Sequence, residues 1–359
     1  MSKLSEVYQK KTDKEHILDN PDTYIGSVEN VEGNHWIYNE NEKKMELKNL
    51  EYIPGLYKLF DEGIVNCRDH VIRMDQKMLD EPEKEHQQVC NIDIKIDDDG
   101  TITMYNDGNG IDIAKHPEYD LWIPEMIFGH LRTSTNYNKE EKKIVGGKNG
   151  FGFKLVLIWS TCGSIETVDH VRKLKYTQSF EKNLDVIHAP KITKSTHKPY
   201  TKITFKPDYK RFEINNLTEN MKQMLIKRVY DISAVTKKSL KIKLNGTLLT
   251  IKTFPQYVDL YLGNTSKVHD DTNKRWEYVI GLSPNHEFNQ VSFVNGIYTS
   301  KGGKHVDYIV QQITKKMIAY IEKKKKITVN ANNIKEQLFV FIRCDIENPA
   351  FDSQTKDYM

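Results

Sequence analysis

The sequence predicts a mixed α+β protein built as two units in tandem. Three observations carry that expectation. Residues 54–72, "PGLYKLFDEGIVNCRDHVI", repeat apolar side chains at spacings of three and four, as an amphipathic helix does. "NIDIKI" and "TITMY" alternate apolar and polar residues on either side of "DDDG", the pattern of a hairpin. Far downstream, "VSFVNGIYTS", a long amphipathic stretch and "QLFVFIRCDI" read as strand, helix and strand, a crossover unit of its own. A chain of 359 residues is long enough to bury two cores.

The helix comes first. Leu56, Leu59, Phe60, Ile64, Cys67 and Val71 form its buried stripe, and Glu62, Asn66 and Asp69 fall together on the opposite face. That face is either a solvated surface or the wall of a site. An amide between two carboxylates, with few lysines nearby, favours the wall. The hairpin follows, and its second strand runs into "NDGNGIDI", 106–113, with Asp107 at the strand end and a glycine on each side of Asn109. Such glycines permit a tight bend and a close approach of backbone to a ligand, although the same four residues also make an ordinary turn.

Next stands a polar stretch over about 130–149, too long for a plain connection and of the length binding loops have. It ends in "GGKNGFGFK", 146–154. No Ser or Thr follows the lysine, so this is not a P-loop. The preceding residues are not a strand, so it is a poor dinucleotide fingerprint. The apolar "FKLVLIWST" after it begins a helix, which places Gly150 and Gly152 where free N–H groups and the helix dipole favour an anion, with Lys154 as an added charge. "YTKITFKPD" alternates as a strand and stops at Pro207. The architecture changes near 245–265: "LNGTLL" reads as a hairpin and "LGNTSKVHDDTNK" as a loop. "VSFVNGIYTS" then reads as one strand, and Val306, Ile309, Val310, Ile313, Met317 and Ile321 mark a long helix.

Composition excludes several classes. Hydrophobic residues make up 38% and charged residues 29%, and no apolar stretch is long enough to cross a bilayer. The four cysteines are scattered without a CxxC pair, which argues against a cysteine metal site and fits a reducing, intracellular compartment. A net charge of +3 gives no global attraction to nucleic acid. The basic charge is lumpy, however, and the run Lys323, Lys324, Lys325 and Lys326 is either a solvated helix end or a contact for a polyanion.

Taken in order, the helix with Glu62 and Asn66, the strand ending in DGxG, the polar loop and GxxGxGxK resemble the Bergerat ATP-binding fold of the GHKL family. "EHILDNPDTYIGSVE", "FVNGIYTSKGGKHVDYI" and "IENPAFDSQTK" narrow the resemblance to the ATPase region of eukaryotic-type DNA topoisomerase II, over nearly all of the chain. The resemblance implies a GHKL α/β sandwich over 1–255 with an N-terminal dimerisation arm. A smaller α/β transducer domain over 256–359 would carry a γ-phosphate-sensing loop. It implies ATP and Mg²⁺ as cofactors. Glu62 matches the general base that polarises water, and Asn66 the Mg²⁺ ligand, an oxygen donor suited to a hard cation. Asp107 matches the residue that reads the adenine amino group, Asp69 its support, and Thr201 a second adenine-side hydroxyl. Ser134, Thr135 and Asn136 match a triplet on ribose and phosphates, and Asn149, Gly150, Phe151, Gly152 and Lys154 the phosphate cradle. Tyr8 matches a tyrosine that reaches the partner protomer's nucleotide, and Gln354 and Lys356 the pair that senses the γ-phosphate. An extended backbone would point those last two to one side.

The sequence departs from the family pattern at Phe153, where a small residue is usual, at Asp107, where Asn is usual, and in "NCRDH". With the Asn/Lys/Ile/Tyr-rich composition, these departures point to a large DNA virus as the source. The implied partners are double-stranded DNA, a second copy of the chain, and a C-terminal cleavage module absent from these residues. The fragment would therefore hydrolyse ATP and gate a duplex without cutting it. The implied location is the nucleus, or for a virus the host cytoplasm or virion. A MutL-like repair clamp and a non-hydrolysing GHKL module are the alternatives.

Overall fold

The computed structural model describes residues 11–131 and 152–359. Thr12 caps α1 (Asp13–Asp19) through reciprocal bonds with Glu15, and a single turn, α2 (Pro21–Tyr24), follows. β1 (Val31–Asn39) and β2 (Lys44–Tyr52) pair as a separate antiparallel hairpin. Pro54 opens α3 (Pro54–Asp80), at a position where its missing N–H has no helical partner to lose. All six residues of the predicted stripe are buried. The helix outruns that stripe because "RMDQKMLD" is rich in strong helix formers, and it stops at Glu81, before Pro82.

β3 (Asn91–Ile96) and β4 (Ile102–Asp107) form the expected hairpin. Then come α4 (Ile123–Gly129), α5 (Gly152–Ile158), and the strands β5 (Ser160–Val168), β6 (Leu174–Glu181), β7 (Val186–Ile187), β8 (Lys191–Lys194) and β9 (Tyr200–Pro207). α6 (Glu219–Ala234) precedes β10 (Lys241–Leu244) and β11 (Thr247–Leu248), which turn on Asn245-Gly246, both at positive φ. These strands make a nine-stranded sheet in the order β11-β10-β3-β4-β9-β5-β6-β7, with β8 also on β6. Helices α3, α5 and α6 pack together on one face of it, and their apolar stripes share its core.

The remaining chain holds α7 (Phe254–Leu262), β12 (Lys267–Asn273), β13 (Trp276–Leu282), β14 (Asn289–Val294), β15 (Ile297–Tyr298), α8 (Lys304–Lys325), α9 (Ala331–Lys335) and β16 (Leu338–Cys344). A five-stranded sheet runs β12-β13-β16-β14-β15, and α8 joins the parallel neighbours β14 and β16 as the predicted crossover.

Three expectations need correction here. "KVHDDTN" is strand β12 rather than loop; it sits at the sheet edge with both faces largely exposed, so its polarity hides it. "VSFVNGIYTS" is two strands, because Asn295 and Gly296 take positive φ and reverse the chain. The stripe of α8 is buried only at its start, through Val306, Ile309 and Val310, while Met317 lies exposed. Among the described residues no helix is long and apolar enough to cross a membrane.

Candidate functional site

The polar face of α3 is not solvated. Glu62 and Asp69 are buried, and Asn66 is half-buried between them. Lys58, one turn earlier and itself buried, places its Nζ 2.7 Å from Glu62 Oε1 and 3.3 Å from Asp61 Oδ2. Burial alone would raise the Glu62 carboxyl, but the ammonium groups of Lys58 and Lys356 outweigh it and hold the pKa below the ordinary value. Glu62 is thus an ionised carboxylate inside the protein, the form a proton acceptor requires. Asp61 is held at about 2, where Arg228 and Lys58 overcome its burial.

Arg228 ties this cluster to the second sheet. Its Nε donates to Asp61 Oδ1 at 2.7 Å and its Nη2 to the carbonyl of Gly296, in the β14–β15 turn, at 2.8 Å. On the other side, Arg68 Nη2 donates to Asp345 Oδ1 at 2.7 Å, just past β16, and Arg68 Nη1 lies 3.7 Å from Asp69.

The start of α5 closes against Glu62 and Asn66. A Cβ added at Gly152 would lie 3.2 Å from Glu62 Oε2 and 3.8 Å from Asn66 Nδ2. Any side chain there would fill the space in front of both groups. This gap is faced by the Glu62 carboxylate and the side-chain amide of Asn66, a pair that with the amide turned over offers oxygen donors to a hard cation. Lys154, two residues on in the same turn, is buried, and desolvation lowers its ammonium to about 8. Phe153 does not project toward this gap. It packs edge-on between Phe128 and Phe205, at ring distances of 5.5 and 5.7 Å. Gly63 of α3 makes room for it: a Cβ there would lie 3.2 Å from Phe153 and 2.5 Å from Met104 Sδ. The large residue is absorbed by the core.

The strand end needs a correction. Asp107 does not face α3. Its Oδ1 accepts the backbone N–H groups of Cys90 and Asn91 at 2.7 and 2.9 Å, and its Oδ2 accepts Asn91 Nδ2 at 2.5 Å. It therefore fastens the end of β4 to the start of β3. Its neighbour Asn106 points the other way, buried on the face shared with Ile102 and Met104, the face that meets α3. Across the sheet, Asn106 opposes Thr201, and Thr201 opposes Thr167. The two threonine hydroxyls lie 3.2 Å apart, and Thr167 also accepts the N–H of Ile111. Strand alternation alone would have identified Asn106: Ile102, Met104 and Asn106 share one parity, and Asp107 has the other. The DGNG bend is as tight as its glycines suggest, since a Cβ at Gly110 would lie 2.0 Å from the Val168 carbonyl oxygen.

The C-terminal loop reaches the same wall. Lys356 is buried, with its Nζ 3.8 Å from Glu62 Oε1. Burial lowers its pKa and the Glu62 carboxylate partly restores it. The segment is not extended, however. Residues 353–356 form a turn in which Lys356 N–H bonds Ser353 O and Lys356 has φ +61°. Gln354 is half-buried in that turn, so the two side chains do not lie side by side on an extended strand. Thr355 packs on Gly26, and Met359 bonds Gly302 and Lys304 at the start of α8. The lysines 323–326 end α8 and are exposed, where cations complement the helix dipole. Tyr8, Ser134, Thr135, Asn136, Asn149, Gly150 and Phe151 lie outside the described residues.

Several known proteins resemble this arrangement over its whole length. The ATPase region of Saccharomyces cerevisiae topoisomerase II superposes with a TM-score of 0.89 at 43% identity, covering 99% of this chain and 90% of that one. The ATPase and transducer domains of DNA topoisomerase II from Balamuthia mandrillaris give 0.90 at 39% identity, covering 98% and 88%. Among curated proteins, DNA topoisomerase 2 of Arabidopsis thaliana is 44% identical over 99% of this chain, and that of Acanthamoeba polyphaga mimivirus 42% over 99%. The chain spans only 24% and 28% of those two proteins' lengths. The DNA gyrase B family matches residues 251–359.

Proposed function

The chain belongs to the type II DNA topoisomerase family, as its ATPase region, and from that premise we propose that it hydrolyses ATP at the wall formed by α3, α5 and the C-terminal loop. One observation carries the reading: Glu62, Asn66, Gly152 and Lys356, from three distant parts of the sequence, converge on one gap around an ionised, buried carboxylate. Glu62 is the general base and takes a proton from the water that attacks the γ-phosphorus. Asn66 would hold Mg²⁺ through its amide oxygen, and the ion would supply neutralising charge between the phosphates. Lys154 and Lys356 supply positive charge to the phosphates, with Gln354 beside Lys356 in the sensing turn. Asn106 and Thr201 face the base end, in place of Asp107, and Asp69 supports the wall.

Residues 1–255 form the ATP-binding unit and 256–359 the transducer on this reading. Two copies close on ATP through the N-terminal arm bearing Tyr8, with Ser134, Thr135, Asn136, Asn149, Gly150 and Phe151 completing the nucleotide site. The closed pair clamps double-stranded DNA, with Lys323–Lys326 as contacts, and works with a cleavage module of the full-length enzyme. It acts where that DNA lies, in a nucleus or in the factory of a large DNA virus. The relatives are topoisomerases by name, which favours this reading over a MutL-like clamp. Glu62→Gln separates it from a non-hydrolysing module: ATP binding persists while turnover falls about 10²–10⁴-fold. Unchanged turnover removes Glu62 from its role. Light scattering that shows one mass with and without a non-hydrolysable ATP analogue removes the clamp.

A further inference from the structure

A cavity of 470 Å³ opens on another face of α3, between the end of α6, the start of α7, the β12–β13 turn and the end of β16. None of the residues proposed to hold ATP line it. Its size falls within the range of about 300–1,000 Å³ typical of small-molecule sites. Two arginines are prominent in its lining. Arg68 is held by Asp345 at 2.7 Å. Arg343 donates to Glu277 at 2.6 Å and to the Ala234 carbonyl at 2.9 Å, with its guanidinium 5.7 Å from the Phe254 ring. Trp276 supplies an aromatic wall, Phe254 is buried behind Arg343, and Lys238, Lys252 and Lys274 stand around the opening.

The charge balance decides what fits. Seven Lys and Arg side chains line the cavity against three Asp and Glu. Two of those acids, Glu277 and Asp345, already bond arginines inside it. His269, Asp271 and Glu277 stand close enough to suggest a metal. Both oxygens of Glu277 are already engaged, Oε2 by Arg343 and Oε1 by His269, so the surplus of basic groups favours an anion.

We propose that this cavity is a second ligand site, separate from the ATP site, for a small phosphorylated aromatic molecule of the size of a nucleoside monophosphate. The ring lies against Trp276, and the phosphate is taken by Arg68 with the surrounding lysines. A phosphate at Arg68 competes with Asp345, the bond that joins α3 to the second sheet. Arg68 directly precedes Asp69 and follows Asn66 by two residues, so occupancy is transmitted to the helix that carries Glu62. The cavity and its charge exist whether or not ATP binds at the other wall of α3.

The test uses the full chain saturated with a non-hydrolysable ATP analogue, to which uridine monophosphate is added as probe. Uridine and inorganic phosphate serve as separate arms, and calorimetry and tryptophan fluorescence as readouts. Uridine monophosphate is expected to bind below about 10 mM, with uridine and phosphate each weaker. Lys238→Ala combined with Lys274→Ala, both exposed and remote from Glu62, should weaken that binding by about tenfold or more while analogue affinity is unchanged. Trp276→Phe should keep the heat of binding and lose the fluorescence change. No binding by about 10 mM, wild-type affinity in the double variant, or an unaltered fluorescence change in Trp276→Phe would overturn the proposal. So would a short DNA duplex, rather than the nucleotide, being the only ligand the double variant loses. Analogue affinity is read separately in the wild type and in the double variant, which leaves Glu62, Asn66 and Lys356 intact, so a failed ATP site and a failed second site give different results.

Discussion

On the proposed reading, Lys58 sets the pH range over which Glu62 can act as a base. Its Nζ stands 2.7 Å from Glu62 Oε1, with both side chains in the interior. At that separation and an effective dielectric of about 20, the attraction is roughly 6 kcal/mol before desolvation. Lys58 gives up hydration to be there, so the net cost of removing it alone, in Lys58→Met, is about 3 kcal/mol, the low end for breaking a buried pair. Part of that loss falls on stability and part on the protonation of Glu62. The sign follows from the structure. The Glu62 pKa is now held below its ordinary value by Lys58 and Lys356 against its burial. Removing Lys58 lets burial dominate and the pKa rises, so the acid limb of the turnover–pH profile moves to higher pH. On that limb turnover should fall by up to about a hundredfold, the equivalent of 3 kcal/mol, and recover as pH rises. Lys58→Arg keeps the charge and should restore most of the acid limb. Steady-state ATP turnover from pH 5 to 9, with chemical denaturation alongside, makes the measurement. A uniform loss at every pH, an unmoved limb, or no difference between the Arg and Met variants would refute the reasoning.

Asn106→Ala should weaken ATP binding with little loss of stability. Asp107→Ala should cost about 1–3 kcal/mol of stability, because it frees the N–H groups of Cys90 and Asn91, while leaving affinity nearly intact; calorimetry and urea melts of the two variants decide, and the reverse pattern restores Asp107 as the adenine reader. If Lys356 senses the terminal phosphate as proposed, Lys356→Ala should lower ATP turnover by more than it lowers ADP affinity; equal losses in both contradict the sensing role. Replacing Lys323–Lys326 with alanine should flatten the log–log salt slope of DNA binding by up to about 0.9 for each phosphate no longer neutralised; an unchanged slope leaves the run as a solvated helix end.

The sequence by itself determined what repeats along a single element. The stripe of α3, the alternation of β3, β4 and β9, the turn at Asn245-Gly246 and the crossover into β16 were all legible, because helix and strand periods act over neighbours. It also placed Glu62, Asn66 and Asp69 on one face of α3. It missed β12, whose polar residues carry no core signal at a sheet edge. It chose Asp107 over Asn106, although strand parity separates the two. Tertiary structure alone decided the remaining points, because they depend on groups far apart in sequence meeting in a place without water. Gly63 makes room for Phe153 only once α3 and α5 pack together. Lys356 takes a left-handed turn and still comes within 3.8 Å of Glu62, almost three hundred residues earlier in the chain. Arg228 of α6 joins Asp61 of α3 to Gly296 in the β14–β15 turn. A carboxylate is driven toward its neutral form by burial and toward its charged form by buried cations, and no local spacing reveals which of these wins.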